Sequence, residues 1–341
     1  MTGDSRTGEL KTGASRTTDL RSVVTGVGGY LPPDIVTNDQ LARVIDTSDA
    51  WIFERTGIRS RHKAAPDQAT SDLATEAARR ALAAAGRSAS DVDLIIVATT
   101  TSDLTFPATA AIVQRKLGAP ICAAFDVQAV CSGFVYALSV ADGFVARGMA
   151  RCALVIGAEI MTRLMDWSDR GTCVLFGDGA GAVVLEPLAG AGTTDDRGIL
   201  GFSLRCEGGK QDLLYVDGGP TTTGTVGKLR MQGKEVFRHA VTNISEAVVA
   251  AAAAARVDLP SIDWFIPHQA NQRILDGVAR KLGIAESRVI STVADHANTS
   301  AASIPLALSQ GVSDGRIKPG HLLLLEAMGG GLTWGAVVLR L

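Results

Sequence analysis

The chain has 341 residues, 46% of them hydrophobic, and a formal net charge of -2. It is long enough to bury a large core, and it carries no block of like charge of the kind that binds nucleic acid or an anionic membrane. The longest apolar run, 247–255, is too short to cross a bilayer, and five scattered cysteines without a CxxC pair favour a reducing cytoplasm over a zinc site or a disulfide framework.

The N-terminal residues 1–20 are rich in Thr, Gly, Ser and Arg and contain no apolar segment, which predicts a disordered tail and not a targeting signal. The elements predicted after it are strand 23–27, a helix at 40–45 capped by Asn38, a short helix after Ser48 or Asp49, helix 71–85, strand 93–99, helix 106–117, strand 125–130, a helix from Ser132, strand 152–156 and strand 183–185. Because fully apolar strands alternate with helices, we expect parallel-rich sheets covered on both faces.

The second part of the chain repeats this pattern. DLIIVATT (93–100) resembles DWFIPHQA (263–270), and GAGAVVLE (179–186) resembles TWGAVVLR (333–340). Cys131 lies 38 positions after Asp93, and Asn298, which we expect to open a helix, lies 35 after Asp263. Apolar strands resemble one another by chance, but three landmarks in the same order favour a duplicated α/β unit. In such a fold we expect the turn that carries Cys131 in the first half and the turn that carries Asn298 in the second to meet at one centre.

Cys131 lies where a strand gives way to a helix, in FDVQAVCSGF (125–134). Phe134, Leu138, Ala141 and Val145 recur at helical spacing and predict one buried face. A thiol at a helix N-terminus loses its proton more readily, and the thiolate is a nucleophile. The alternative is a packed and inert cysteine.

Three further features follow strands in the second half. His268 lies in PHQAN, Asn298 lies in HANTSAAS, and the glycines 329–331 follow the apolar strand 322–325. Each also has a purely structural interpretation: His268 as a core histidine, Asn298 as a helix cap and the glycines as a turn. His296 is a second candidate for a functional histidine. Together with Cys131 they fit acyl chemistry, which needs a nucleophile and donors to oxyanions.

The segments CSGF, PHQAN, NTSAAS and GGGLTWG resemble those of the β-ketoacyl-acyl-carrier-protein synthase III family. The resemblance extends to DTSDAWIFERTGIRSRH (46–62), TTTSDLTFPATA (99–110), DRGTCVLFGDGAGAVV (169–184) and MQGKEVFRHAV (231–241). It implies an α/β thiolase fold of five layers, αβαβα, with an N-terminal half at 21–190, a C-terminal half at 191–341 and a homodimer formed through the N-terminal half.

The resemblance also implies roles for individual residues. Cys131, His268 and Asn298 resemble the catalytic triad, and the backbone N–H groups of Cys131 and Gly330 resemble the first oxyanion site. The residues that resemble the CoA site are Trp51, Arg55, Arg170, Gly233 and Asn271. Those that resemble the docking site for the acyl carrier protein are Gln269, Ala270, Asn271, Gln272, Arg273 and Arg238. Phe106 resembles the aromatic residue that limits the primer pocket of the partner subunit.

The implied reaction condenses a short acyl-CoA, with acetyl-CoA expected, with malonyl-acyl-carrier-protein, and it needs neither a metal nor a redox cofactor. Met328 stands where a thiolase has a second cysteine, and Asn298 stands where elongating synthases have a second histidine. A specialised acyltransferase of secondary metabolism and a non-catalytic heterodimer partner stay open as alternatives. Two departures from the family pattern are Ala297, usually Gly, and Ser132, commonly Ala.

Overall fold

The computed structural model describes residues 20–341, so the predicted disordered tail lies outside the described residues apart from Leu20, which begins the first strand. The strands are β1 (Leu20–Tyr30), β2 (Asp34–Thr37), β3 (Ser60–Lys63), β4 (Leu94–Ala98), β5 (Ala123–Val127), β6 (Ala153–Ile160), β7 (Asp178–Ala189), β8 (Gly198–Cys206), β9 (Leu214–Val216), β10 (Leu229–Met231), β11 (Trp264–Pro267), β12 (Leu322–Gly329) and β13 (Thr333–Arg340). The helices are α1 (Asn38–Leu41), α2 (Asp49–Thr56), α3 (Thr70–Ala84), α4 (Thr109–Leu117), α5 (Gly133–Ala146), α6 (Gly233–Ala255), α7 (Gln272–Leu282), α8 (Val293–His296) and α9 (Ser303–Ser313).

Two large sheets repeat one topology, as the internal repeat predicts. The first has the strand order β1-β7-β6-β4-β5, with β4 parallel to β5 and β6 and with β7 antiparallel to β6 and β1. The second has the order β8-β13-β12-β11, with β11 parallel to β12 and the other pairs antiparallel. A parallel bridge between Phe265 and Val289 stands where the first sheet has β5.

The repeat extends to single hydrogen bonds. Asp93 accepts hydrogen bonds from the backbone N–H groups of Arg151 and Cys152 at 2.8 and 3.1 Å, just before β6. Asp263 accepts one from the N–H of Leu322 at 2.7 Å, at the start of β12. Each aspartate precedes a strand, β4 or β11, and ties it to the next parallel strand, so the duplicated α/β unit is confirmed.

Helices and sheets form the five layers of the thiolase fold. Helices α3 and α4 cover the outer face of the first sheet, α6 covers the outer face of the second, and α7 packs beside α6 in the same hydrophobic cluster. Helices α5 and α9 lie between the sheets, where Phe134, Leu138, Ala141 and Val145 of α5 are all buried as predicted. Gly157 of β6 allows the turn before α9 to pack directly against the strand, because a Cβ there would lie 2.2 Å from the carbonyl oxygen of Ala301.

Three predicted helix starts are wrong. The helix at 40–45 is shorter and is capped by Thr37, which exchanges two hydrogen bonds with Gln40. Helix α4 begins at Thr109 because the carboxylate of Asp126 accepts hydrogen bonds from the first N–H groups there, which leaves Phe106 outside the helix. Asn298 is not a helix cap, since α9 begins only at Ser303.

The short helix that carries Trp51 is α2, and Ser48 caps it by accepting a hydrogen bond from the N–H of Trp51 at 3.1 Å. Across residues 20–341, none of the helices combines the length and the apolar character required to cross a membrane.

Candidate active site

One cavity of about 370 Å³ brings Cys131, His268 and Asn298 together. Cys131 follows β5 and His268 follows β11, so both lie at the carboxyl ends of parallel strands, where sites form in α/β folds. Asn298 reaches the same place through a parallel bridge to Phe176. The remaining wall is largely apolar and is formed by Leu175, Phe176, Leu214, Met231, Val236, Phe237, Ala240, Ile244, Ile274 and Met328. The cavity therefore suits an acyl group whose apolar chain lies along this wall and whose carbonyl lies beside Cys131, His268 and Asn298.

Cys131 lies on a single 3-10 turn, Val130–Ser132, immediately before α5. Its side chain is 4% exposed. Burial raises the pKa of the thiol to about 12, so the prediction that the helix N-terminus would lower this pKa is wrong. Burial in an apolar surrounding disfavours the charged thiolate. The thiol is therefore protonated at rest and must lose its proton as it reacts.

His268 is a buried, neutral imidazole whose orientation is fixed. Its Nδ1 lies 2.6 Å from Oγ of Ser303, and the same oxygen accepts a hydrogen bond from the N–H of Gln269 at 3.3 Å. The Ser303 hydroxyl proton is then free to go to Nδ1, which leaves the ring proton on Nε2. Burial lowers the pKa of His268 to about 3, so the ring stays neutral at physiological pH. His268 is thus prepared to donate from Nε2.

Asn298 is held by its backbone and its side chain. Its N–H donates to the carbonyl of Leu175 at 2.9 Å, and its carbonyl accepts from Gly177 at 3.0 Å. Its Oδ1 accepts a hydrogen bond from the N–H of Ser300 at 2.9 Å. Because Oδ1 is engaged, Nδ2 is the amide group left to donate. His268 and Asn298 thus both present N–H donors to a cavity that Cys131 also lines.

The glycine segment packs directly on the turn that carries Cys131. A Cβ on Gly329 would lie 2.6 Å from the backbone nitrogen of Cys131, so only glycine fits there. The hydroxyl of Ser132 lies 2.8 Å from that of Thr333, which in turn bonds the carbonyls of Ala129 and Gly330 at 3.0 Å. Gly329 and Thr333 thus hold the glycine segment against the turn that carries Cys131, through contacts that the sequence did not predict, and the oxyanion role of Gly330 stays a prediction.

Of the residues predicted for the CoA site, Arg55, Gly233 and Asn271 line the cavity, whereas Trp51 and Arg170 do not. Two guanidinium groups lie near the ring of Trp51, with the Arg55 and Arg170 Cζ atoms 4.5 and 5.3 Å from its centre. An aromatic ring between Trp51 and Arg170 would need a gap of about 7 Å, twice a van der Waals contact. The pair must therefore separate before a ring enters. Gly233 and Asn271 line the cavity, and Asn271 also caps α7.

The residues predicted to dock a carrier protein differ in their exposure to solvent. Gln269 is fully buried, and its amide bonds Pro267, Ile290 and Thr292, so its side chain cannot contact a partner and that prediction is wrong. Ala270, Asn271 and Arg273 line the cavity, and Gln272 lies beside them at the start of α7. Arg273 is exposed, with its guanidinium 5.9 Å from the ring of Phe237, and Arg238 is exposed and paired with Glu235. Lys234 also lines the cavity and was not singled out in the sequence.

Two other residues from the sequence lie apart from the cavity in this chain. Phe106 is 82% exposed, and its neighbour Leu104 is 54% exposed. His296 packs its ring against that of His62, with centres 6.2 Å apart, and it does not line the cavity. Within the described part of the chain there is no group of three or more His, Cys, Asp or Glu residues arranged to hold a metal ion.

The five-layered fold and this cavity define a condensing enzyme of the thiolase fold. A family model described as 3-Oxoacyl-[acyl-carrier-protein (ACP)] synthase III matches residues 125–208, and its C-terminal companion matches residues 252–341. The beta-ketoacyl-[acyl-carrier-protein] synthase III of Caulobacter vibrioides is 77% identical over 94% of this chain and 100% of its own, and that of Rhodospirillum rubrum is 62% identical over 94% and 99%.

Two solved structures agree with these relatives. The 3-oxoacyl-[acyl-carrier-protein] synthase III of Aquifex aeolicus is 44% identical, with a TM-score of 0.88 over 94% of this chain and 100% of its own. The priming beta-ketosynthase of the R1128 polyketide pathway is 36% identical, with a TM-score of 0.89 over 96% of this chain and 98% of its own. The chain belongs to the β-ketoacyl-[acyl-carrier-protein] synthase III family.

Proposed function

We propose that this enzyme condenses a short acyl-CoA with malonyl-acyl-carrier-protein, releasing CoA and CO₂ and forming 3-oxoacyl-acyl-carrier-protein, the first condensation of fatty acid biosynthesis. The observation that carries the proposal is the shared cavity of Cys131, His268 and Asn298. It offers one nucleophile and two neutral N–H donors, which is the set that a thioester acylation followed by an enolate-forming decarboxylation requires.

In the first half-reaction the sulfur of Cys131 attacks the acyl-CoA carbonyl, and the N–H groups of Cys131 and Gly330 hold the oxyanion. The bond to CoA sulfur breaks, and an acyl-cysteine remains. The fit of Gly329 against the Cys131 backbone supports this pair, because it leaves the glycine segment little freedom to move. Preorganised donors of this kind each lower a barrier by about 3 kcal/mol.

In the second half-reaction the malonyl group loses CO₂, and its enolate oxygen accepts hydrogen bonds from Nε2 of His268 and Nδ2 of Asn298. The enolate carbon attacks the acyl-cysteine and frees the thiolate. The proposal is supported by the Ser303 contact, which leaves the proton on Nε2, and by the Ser300 contact, which leaves Nδ2 to donate. A neutral imidazole suits this task because it donates without first having to lose charge.

For substrates, we propose that CoA lies along Trp51, Arg55, Arg170, Gly233 and Asn271, and that an acidic carrier protein docks beside Arg273 and Arg238. Exposed positive groups at a cavity mouth attract an acidic partner over long distances. We further propose a homodimer in which Phe106 closes the partner's primer pocket. The 82% exposure of Phe106 supports a contact outside its own subunit.

The test is intact-protein and peptide mass spectrometry after mixing with acetyl-CoA. We expect one acetyl group on Cys131, and none in Cys131→Ala. Cys173→Ala is the matched control, since Cys173 is equally buried but does not line the cavity. An adduct that maps to Cys173, or that survives Cys131→Ala, would contradict the mechanism. Malonyl-acyl-carrier-protein added next should yield 3-oxoacyl-carrier protein, whereas transfer of the acyl group to oxygen or nitrogen acceptors would indicate a specialised acyltransferase.

A further inference from the structure

The side chain of Glu159 is a buried carboxylate that the mechanism above does not use. It lies near the end of β6 and is 0% exposed. The hydroxyls of Thr99, Thr100 and Thr101 and the backbone N–H of Thr100 donate hydrogen bonds to its oxygens at 2.6–3.2 Å. The hydroxyl oxygens of Thr99 and Thr101 themselves accept from backbone N–H groups, so their protons are left to the carboxylate. These donors fix the position of the carboxyl and oppose the rise in its pKa that burial causes.

The same carboxylate holds Ser300, which belongs to the other half of the molecule. The hydroxyl of Ser300 donates to Oε1 of Glu159 at 3.1 Å, and both residues are fully buried. Gly157, two residues earlier on the same face of β6, makes room for the carbonyl of Ala301. Strand β6 therefore contacts the turn Ser300–Ala302 at two adjacent points, once through the missing side chain of a glycine and once through a hydrogen bond.

The backbone of Ser300 adopts a conformation that needs such support. Its φ is 51°, in the left-handed region, where a residue with a side chain is strained and surrounding contacts must maintain it. In this conformation its backbone N–H donates to Oδ1 of Asn298 at 2.9 Å. Because φ fixes the direction of the N–H relative to the side chain, the hydroxyl held by Glu159 and the N–H that binds Asn298 move as one unit.

We propose that Glu159 and Ser300 are positioning residues for Asn298, which keep its Oδ1 engaged so that Nδ2 faces the malonyl enolate; this inference rests on the role of Asn298 proposed above. An amide that turns by about 180° presents an oxygen in place of an N–H donor, and that oxygen would repel an enolate. The backbone bonds of Asn298 to Leu175 and Gly177 hold the main chain and leave this rotation free. The Ser300 contact distinguishes the two orientations, since an N–H donor can bind Oδ1 and cannot bind Nδ2.

The test measures the two half-reactions separately in Ser300→Ala. Acylation by acetyl-CoA is followed by rapid quench and mass spectrometry. Decarboxylation is followed in the acylated enzyme by release of CO₂ from malonyl-acyl-carrier-protein labelled in its free carboxyl group. We expect acylation within about threefold of the natural enzyme, because Asn298 serves the enolate and not the first attack. Decarboxylation should fall about 20-fold, less than the about 100-fold that follows complete loss of a donor.

A second comparison separates positioning from general damage to the fold. In an Asn298→Ala background there is no amide to orient, so adding Ser300→Ala should slow decarboxylation by less than about twofold. A substitution that merely loosens the structure would lower the rate by a similar factor in both backgrounds. Glu159→Gln should show the same division between the half-reactions, with a loss of about fivefold or more in decarboxylation, because a neutral amide is a weaker acceptor for the Ser300 hydroxyl. It decides the question if Ser300→Ala does not fold.

Thr100→Val is the matched control, since it removes a donor from the same carboxylate but leaves the bond between Glu159 and Ser300 in place. It should decarboxylate within about threefold of the natural enzyme. Unchanged decarboxylation in Ser300→Ala would overturn the positioning role. Equal loss of both half-reactions, a full further loss in the Asn298→Ala background, or an equal loss in Thr100→Val would overturn it too.

Failure of the positioning role differs visibly from failure of the proposed function. If the natural enzyme decarboxylates malonyl-acyl-carrier-protein and Ser300→Ala and Glu159→Gln do so at the same rate, only the positioning role is wrong. If the natural enzyme itself releases no CO₂ from malonyl-acyl-carrier-protein after acylation, the proposed function is wrong, and the positioning role falls with it.

Discussion

The backbone of Ala297, the residue before Asn298, adopts a strained conformation whose energy can be measured by substitution. Ala297 has φ 57° and ψ -160°, a conformation that is essentially restricted to glycine. Its side chain is 0% exposed. We predict that Ala297→Gly changes the free energy of unfolding very little, although replacing a buried alanine by glycine is ordinarily destabilising. The reason is that the substitution relieves strain while it removes a packed methyl group.

The expected change in the free energy of unfolding for Ala297→Gly is the sum of three contributions. Loss of one buried methyl group costs about 0.8 kcal/mol. The greater freedom of glycine in the unfolded chain costs about 0.7 kcal/mol. Strain at this conformation amounts to about 2 kcal/mol. The variant should therefore lie within about 0.5 kcal/mol of the natural protein, on the stable side.

Ala302→Gly is the control for this prediction. Ala302 is also 0% exposed, only five positions away, but its φ of -76° and ψ of -17° suit any residue. It should lose about 1.5 kcal/mol, because the burial and entropy costs apply without relief of strain. Urea denaturation of both variants beside the natural protein gives the difference. Equal losses in the two variants would refute the reasoning, since Ala297 would then store no strain.

Four further predictions concern the reaction. His268→Ala and Asn298→Ala should still acylate Cys131 but lose about 100-fold or more in malonyl decarboxylation, and equal loss of both steps would contradict the separate oxyanion sites. Because burial lowers the pKa of His268 to about 3, decarboxylation by the acyl-enzyme should stay constant from pH 8 down to pH 5; a fall near pH 6.5 would mean that the ring is protonated there. Arg273→Glu should raise KM for malonyl-acyl-carrier-protein at low salt much more than KM for acyl-CoA, whereas Arg280→Glu, on the same helix but away from the cavity, should not; identical effects would dismiss the docking role. Phe106→Ala should extend primer use toward longer acyl groups, and a natural preference for eight or more carbons would contradict the pocket assignment.

The sequence alone determined the order of the elements, the duplication and the principal reactive residues. Strand 93–99 and helix 71–85 agree with β4 and α3 to within a residue, because apolar periodicity is a local property that burial then reinforces. Cys131 and His268 could be proposed together because each follows a predicted strand, and strand ends of a parallel sheet meet at one edge. Asn298 could be added because the internal repeat matches its position with that of Cys131. The motifs around them then indicated the family.

Helix boundaries depended on contacts made between distant residues. Asn298 was expected to cap a helix, but its Oδ1 bonds Ser300 instead and leaves Nδ2 for the cavity. The start of α4 depends on Asp126, which lies on a neighbouring strand and is not recognisable as a cap from the local sequence. Gln269 lies in a polar motif, yet the strand before it turns its amide inward.

Only the tertiary structure decided the protonation states and the supporting residues. The pKa of Cys131 is raised, contrary to its position before a helix, because the second half of the molecule covers it and excludes water. Ser303 and Ser300 are close in the chain, but the residues that they hydrogen-bond, His268 and Glu159, come from other segments. These contacts exist only once the two sheets have packed around α5 and α9. Local patterns in the sequence report which residues are reactive, whereas desolvation and hydrogen-bond direction arise from packing between distant parts of the chain.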